Sequence, residues 1–211
     1  MPRSTGENAR EALLAVGTDL MRRSGYSATS VDEICTAAGV TKGAFFHHFP
    51  SKEVLAKECL DKWQEQMAAL HHAAPYQAIE DPVDKVLAAI DFMAEMFAGA
   101  NLHKSCLAGT TVQEVSESNP VLREAAQECL AKGERYFQSL LTAACRARQL
   151  RLDTASLAEL WMGTVQGSLL LAKASQDPAV IGRNLAHFKN YVRTLLNDSG
   201  NNTGSPTHPL T

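Results

Sequence analysis

The chain has 211 residues, 45% hydrophobic and 20% charged, enough apolar material for one compact core or two small ones, which excludes disorder over most of its length. Its formal charge of −3 excludes a polybasic protein that holds nucleic acid or membrane by bulk charge, and residues 1–55 are neutral, with six basic and six acidic groups. No apolar run approaches the roughly 20 residues that cross a bilayer. Met1 to Arg10 is polar, unlike a signal peptide, so a cytoplasmic protein with no membrane partner is expected. Cys35, Cys59, Cys106, Cys129 and Cys145 are odd in number and lack a Cys-x2-Cys pair, which reads as free thiols in a reducing compartment.

Nearly every segment has helical period and strand signals are almost absent, so the fold class is all-α. A first helix is expected from about Gly6 to Ser24, stopped by a left-handed Gly25. Ser30 and Glu33 form a capping box that opens a second helix, ended by Gly39. Thr41 caps a third, Lys42 to His48, and Pro50-Ser51 introduce a fourth, about Lys52 to His72. Three short helices with a Gly turn between the second and third make a helix-turn-helix arrangement. Longer helices follow: about Pro82 to Ala98, Ser105 to Ser116, and one opened by Asn119-Pro120 with the stripe Leu122, Ala126, Cys129, Leu130, Phe137, Leu140, Leu141, Ala144. Asp153 caps a helix whose face reads Leu157, Leu160, Trp161, Thr164, Ser168, Leu171. Asp177-Pro178 open the last, with Ile181, Leu185, Phe188, Val192 and Leu195 inward. The polar tail 197–211 has no core-forming face.

The segment from Ser30 to Glu53 carries the chemistry. Thr41, Lys42 and Gly43 stand at the front of the third helix, where free amides and positive partial charge suit a phosphate. His47, one turn on, can donate to a phosphate or a base edge. The run Ile34-Cys35, Ala38-Gly39-Val40-Thr41-Lys42-Gly43, Phe45-Phe46-His47-His48-Phe49, Ser51-Lys52-Glu53 resembles the DNA-binding domain of the TetR family of transcriptional regulators. The resemblance implies a homodimer on a palindromic double-stranded DNA operator, with Thr29, Ser30, Thr41, Lys42, Gly43, Phe46, His47, His48 and Lys52 at the DNA. Phe46 and His48 replace tyrosines of the family pattern, and Phe46 lacks the hydroxyl that donates to phosphate. Phe45 and Phe49 are core under any reading.

The resemblance also implies a C-terminal domain that binds a small-molecule effector and dimerises. Gly163 and Gly167, four apart, permit close helix approach, and with Leu171, Ile181, Leu185 and Phe188 they form the expected dimer contact. Phe92, Met96 and Phe97, with Trp161 and Gln166, are expected to line an apolar pocket. His103 to Val115 resembles a TetR subgroup with a Gly-Cys-Leu motif and a later Glu, here Glu114, whose members include electrophile-responsive repressors; Ser105 replaces the glycine. Cys106 stands at an expected helix start beside His103 and Lys104, both of which favour the thiolate.

The domains expected are 1–53 for DNA, with the fourth helix connecting, 54–196 for ligand and dimerisation, and the tail 197–211. No enzyme, cofactor or metal is expected: the adjacent histidine pairs diverge on a helix, and no Cys-x2-Cys or His-x3-His spacing occurs. The leading expectation is a one-component repressor released by a small-molecule or electrophilic inducer. The alternative is a helical-bundle enzyme with Cys106 as nucleophile and His103 nearby.

Overall fold

In the computed structural model, which describes residues 6–98 and 105–197, the described residues form nine α-helices and no strand. The first three are α1 (Gly6–Ser24), α2 (Val31–Ala38) and α3 (Lys42–His48), with ends set by local chemistry. The Glu33 amide donates to Ser30 Oγ at 3.1 Å and the Ser30 amide donates to Glu33 Oε2 at 2.8 Å, a complete capping box. Gly39 closes α2 at φ +67°, in the left-handed region. Thr41 Oγ1 accepts from the Ala44 amide at 3.1 Å and so starts α3. Phe45 and Phe49 are fully buried in the core that holds Leu13, Ile34 and Leu55. Each such ring contributes about 1.5–3 kcal/mol of burial and pins α3 against α1 and α2.

Ser51 caps α4 (Lys52–Ala73), which packs on α1 and on α7 and so joins the two halves of the molecule. A 3-10 turn at Pro75–Ala78, which no periodicity announced, redirects the chain into α5 (Pro82–Ala98). With α7 (Pro120–Ala147), α8 (Thr154–Ser175) and α9 (Ala179–Asn197), α5 forms the larger bundle: α5 lies against α7 and α9, and α8 against the same two. Between the bundle and the first helices lies α6 (Leu107–Val115), packed on α7 and touching α1 and α4. It begins two residues later than expected, with Cys106 as its N-cap. No described helix is long and apolar enough to cross a membrane. The tail beyond Asn197 and His103 lie outside the described residues.

Two helix faces differ from expectation. On α8, Leu157, Trp161 and Ser168 are buried, but Leu160 and Leu171 are about half exposed, at 48% and 54%. One face of α8 is consumed by α7 and α9, and helical phase turns Leu160, Gly163, Leu170 and Leu171 outward. On α9, Ile181, Leu185 and Phe188 are buried in the chain's own core, as their inward face predicts, which leaves them little surface for the dimer contact also expected of them.

The first three helices meet the bundle through a short polar seam. Arg22 Nε donates to the Ser105 carbonyl at 2.7 Å, and Ser105 Oγ donates to the Arg22 carbonyl at 3.0 Å. The Ser27 amide donates to Glu114 Oε2 at 2.9 Å, and Asn119 Nδ2 donates to Glu53 Oε2 at 2.6 Å. Glu114 lies over Gly25, which is at φ +91°; a Cβ there would stand 1.7 Å from Glu114 Oε1. We expect Gly25→Ala to lower the unfolding free energy by about 1–3 kcal/mol through backbone strain alone, read by urea denaturation. Adding Glu114→Ala removes the collision but not the strain, so the double variant should regain only part. Full recovery would mean that Gly25 supplies room and nothing more.

Candidate nucleic-acid interface and cavity

The outward side of the α2–α3 unit presents Thr41, Lys42, Gly43, Phe46 and His47, all exposed, with His48 half-buried beside them. Phe46 is 53% exposed, large for an apolar ring on a free surface, and its edge packs on Phe45 with centroids 5.1 Å apart. Lys42 Nζ pairs with Asp32 Oδ1 at 2.7 Å, and that carboxylate holds the ammonium above its ordinary range. The pair is solvent-exposed, so it is worth little in water and gives way readily to a phosphate. Ser30 is exposed but its hydroxyl is engaged in the cap, donating to Glu33 Oε2 at 2.9 Å.

Two residues expected at this surface point inward instead. Thr29 is buried, and its hydroxyl donates to the Gly25 carbonyl at 2.7 Å. Lys52 Nζ donates to the Tyr26 and Thr29 carbonyls, both at 2.9 Å, and lies 4.2 Å from the Tyr26 ring centroid. Burial pulls its pKa down. Both residues lock the α1–α2 loop and so orient the α2–α3 unit.

Between them, α4, α5, α7 and α8 line a cavity of about 160 Å³ that opens to solvent at Ala68, His72, Lys132 and Gly133. Four of the expected residues line it, Cys106, Trp161 and Gln166 among them. Phe97 does so too, but Phe92 and Met96 do not. Ala89, Met93 and Phe97 recur at i, i+4 and i+8 and form the cavity face of α5; Phe92 and Met96 sit about 100° behind it. Phe92 packs instead on His71 and Tyr76, at 5.8 and 5.5 Å between centroids. Phe137 and Trp161 stack at 4.5 Å with 20° between planes and form one wall.

Cys106 is buried at the α6 start, where its carbonyl accepts from the Thr110 amide at 3.0 Å. Its described cationic neighbour is Arg22, whose guanidinium lies 4.3 Å from the Trp63 ring centroid. Cys129 lines the same cavity, and burial pushes its thiol up to about 12. Gln166 lies against Gly109 of α6 so closely that a Cβ there would stand 2.1 Å from Gln166 Oε1. Sequence reading missed Trp63, Met67 and His71, which face the cavity from α4 at i, i+4 and i+8, and Tyr136 on α7. The α4 spacing was visible; what it faced was not.

Comparison with known proteins bears on both features. Residues 13–59 match the family described as bacterial regulatory proteins, tetR family, and residues 82–188 match the tetracyclin repressor-like C-terminal domain. The HTH-type transcriptional repressor NemR of Escherichia coli is 27% identical, with 92% of this chain and 98% of that protein aligned. The HTH-type transcriptional repressor DhaR of a Mycobacterium species is 26% identical over 80% of this chain and 84% of its own length. Among solved structures, regulatory protein TetR from Rhodobacter sphaeroides superposes with a TM-score of 0.78 at 25% identity, covering 87% of this chain and 98% of that one. The reduced form of E. coli NemR gives 0.73 at 25% identity, with 86% and 96% covered.

Burial in the cavity wall, with the His72 charge adding to it, pushes the His71 imidazole from its ordinary 6.5 down to about 4. The unfolded chain therefore takes up this proton first, so the contribution is complete above pH 6.5 and is lost as pH falls towards 4. We expect the urea midpoint to fall across that window and to fall less in His71→Gln. Equal slopes in the two proteins would mean that His71 titrates in the folded protein as it does in the unfolded chain.

Proposed function

The chain belongs to the tetR family of bacterial regulatory proteins, and on that footing we propose that it is a one-component repressor that grips a palindromic operator as a homodimer and is released by a small molecule bound in the cavity. The observation that carries this reading is the exposed α3 face, with Thr41, Lys42, Phe46 and His47 together on a helix whose other side is anchored by Phe45 and Phe49. Residues 1–53 carry the DNA contacts and 54–196 the effector and partner contacts. Lys42 leaves Asp32 for a backbone phosphate, while Phe46 brings an apolar ring to the groove, a surface suited to a thymine methyl group.

The partner surface proposed is the outward face of α8 with the adjoining part of α9. Leu160, Leu170, Leu171 and Tyr191 are each about half exposed, a concentration of apolar area that a monomer rarely leaves in water. Beside them Gly163 and Gly167 have open space where a Cβ would stand, so a second copy can approach closely. Two subunits joined here would set two α3 helices in successive major grooves about 34–36 Å apart.

Cys106 is proposed as the point of attack for an unsaturated carbonyl compound in the cavity. Its sulfur bonds to the β-carbon, the carbon–carbon π pair moves towards the carbonyl, and the thiol proton ends on the α-carbon. Support comes from its place on the cavity wall at the start of α6.

Fluorescence anisotropy with DNA flanking the protein's own gene tests the reading. We expect Lys42→Ala to weaken binding to all sequences alike and to lower the salt slope by about one unit. Gly167→Leu should shift sedimentation to the monomer and abolish operator binding; a dimeric Gly167→Leu protein would remove this face from the interface. Separately, Cys106→Ser should hold the operator as the parent does yet resist release by an electrophile such as an unsaturated aldehyde. Release equal to the parent's would leave Cys106 as a packing residue.

A further inference from the structure

Beside the aromatic wall runs a chain of polar groups that neither DNA contact nor thiol chemistry uses. Gln77 Nε2 donates to the His71 carbonyl at 2.8 Å and to the Tyr136 hydroxyl at 2.7 Å. A carbonyl can only accept, so the orientation of the Gln77 amide is settled. The Tyr136 hydroxyl lies 2.8 Å from that of Tyr76, which lies 2.6 Å from His71 Nδ1. His71 and Tyr136 line the cavity, and Tyr76 is buried behind them.

Counting hydrogens gives this chain a definite output. Burial keeps the His71 ring neutral, with one hydrogen. Placed on Nε2, it leaves Tyr136 to donate to Tyr76 and Tyr76 to donate to Nδ1, so the Nε2–H is spare. Placed on Nδ1, it donates to Tyr76 and Tyr76 donates to Tyr136, so the Tyr136 O–H is spare. Either way one donor remains, and it belongs to a residue of the cavity wall. Among the described residues, no buried side-chain nitrogen or oxygen lacks a partner, so His71 Nε2, which bonds to no described residue, is not sealed off, while the Tyr136 hydroxyl accepts from Gln77 and keeps its own hydrogen for a second partner.

The remaining lining limits what that donor can meet. Among the described residues no carboxylate lines the cavity; its basic side chains other than His71, namely Lys132 and His72, are exposed, and its remaining ionisable groups are the thiols of Cys106 and Cys129 and the Tyr136 hydroxyl. Its 160 Å³ is close to the roughly 150 Å³ of an apolar cavity that takes up benzene. We propose that the cavity binds an uncharged, single-ring aromatic compound carrying one hydrogen-bond acceptor, with its ring against Phe137 and Trp161 and its acceptor on the spare donor of the His71–Tyr76–Tyr136 chain. This names the chemical class of effector for the site proposed above and rests on that reading for its regulatory meaning.

Calorimetry on the full chain with four probes of one size tests it: acetophenone, ethylbenzene, benzoate and benzylamine. Acetophenone should bind about tenfold more tightly than ethylbenzene, the worth of one hydrogen bond, and more tightly than either charged probe. His71→Phe and Tyr136→Phe should each keep this preference, because the other residue then supplies the donor. The double variant should lose it, with the ratio falling to about one while operator binding and helical content report that it is folded. Equal affinity for acetophenone and ethylbenzene in the parent, tighter binding of a charged probe, failure of all four at millimolar concentration, or a preference that survives in the double variant would each overturn the proposal. The parental comparison stands even if the double variant does not fold. Acetophenone that binds as expected without changing operator affinity supports this pocket chemistry and removes the effector reading; operator release by other compounds with no binding of acetophenone does the reverse.

Discussion

The clamp on α6 is the constraint on which the rest of the molecule depends. At one side Glu114 lies over Gly25 with clearance only for a hydrogen, and its second oxygen accepts from the Ser27 amide. At the other, Gln166 lies over Gly109 with equally little room. A nine-residue helix held at both contacts cannot shift against one neighbour without disturbing the other. Gln166 faces the cavity, and Ser27 lies in the loop that leads to α2. The clamp therefore joins the cavity wall to the base of the DNA-facing unit through contacts that are too close to absorb a movement.

Arg22 runs parallel to that clamp. Its guanidinium lies over Trp63, a cavity residue, donates to the Ser105 carbonyl, and neighbours Cys106. Arg22 thus ties Trp63 and the start of α6 to α1. On the far side, the α2–α3 unit has little internal freedom: Thr29 and Lys52 tie its entry loop, three caps tie its helix ends, and Phe45 and Phe49 tie its underside. Such a unit moves as a body. In the homodimer proposed above, that would convert a small displacement at α6 into a change of separation between two α3 helices, which a fixed operator spacing would detect.

Local features were legible in the sequence and long-range ones were not. The Ser30–Glu33 box, the Gly39 turn and the Thr41 cap depend on residues within four positions of one another, and the α2 and α3 boundaries followed from them. Gly25 was legible as a left-handed stop, but its burden, the Glu114 side chain, comes from 89 residues away in the chain and carries no local mark. Lys52 and Thr29 looked like DNA contacts because their positions suit one; their partners are main-chain carbonyls that only the folded loop brings to them. On α8 and α9 an apolar stripe was visible, yet which apolar residues face the core and which a partner depends on helix phase against α7, so Leu160 was placed on the inward face of α8, while Ile181, Leu185 and Phe188, read as inward, were also assigned to a partner. The His71–Tyr76–Tyr136–Gln77 chain joins a helix end, a 3-10 turn and the middle of α7, and no spacing rule announces it.

On this reading the clamp, rather than the cavity or the DNA-facing unit alone, carries the coupling between them. The most direct measurement is operator affinity with and without saturating acetophenone, in the parent and in Glu114→Ala. The parent should show the 5–150-fold change that corresponds to about 1–3 kcal/mol of coupling. Glu114→Ala should bind acetophenone and operator each as the parent does, while the change in operator affinity shrinks towards one. A Glu114→Ala protein that retains both affinities and the full change would show that the signal reaches α3 without passing through the contact between α6 and the α1–α2 loop.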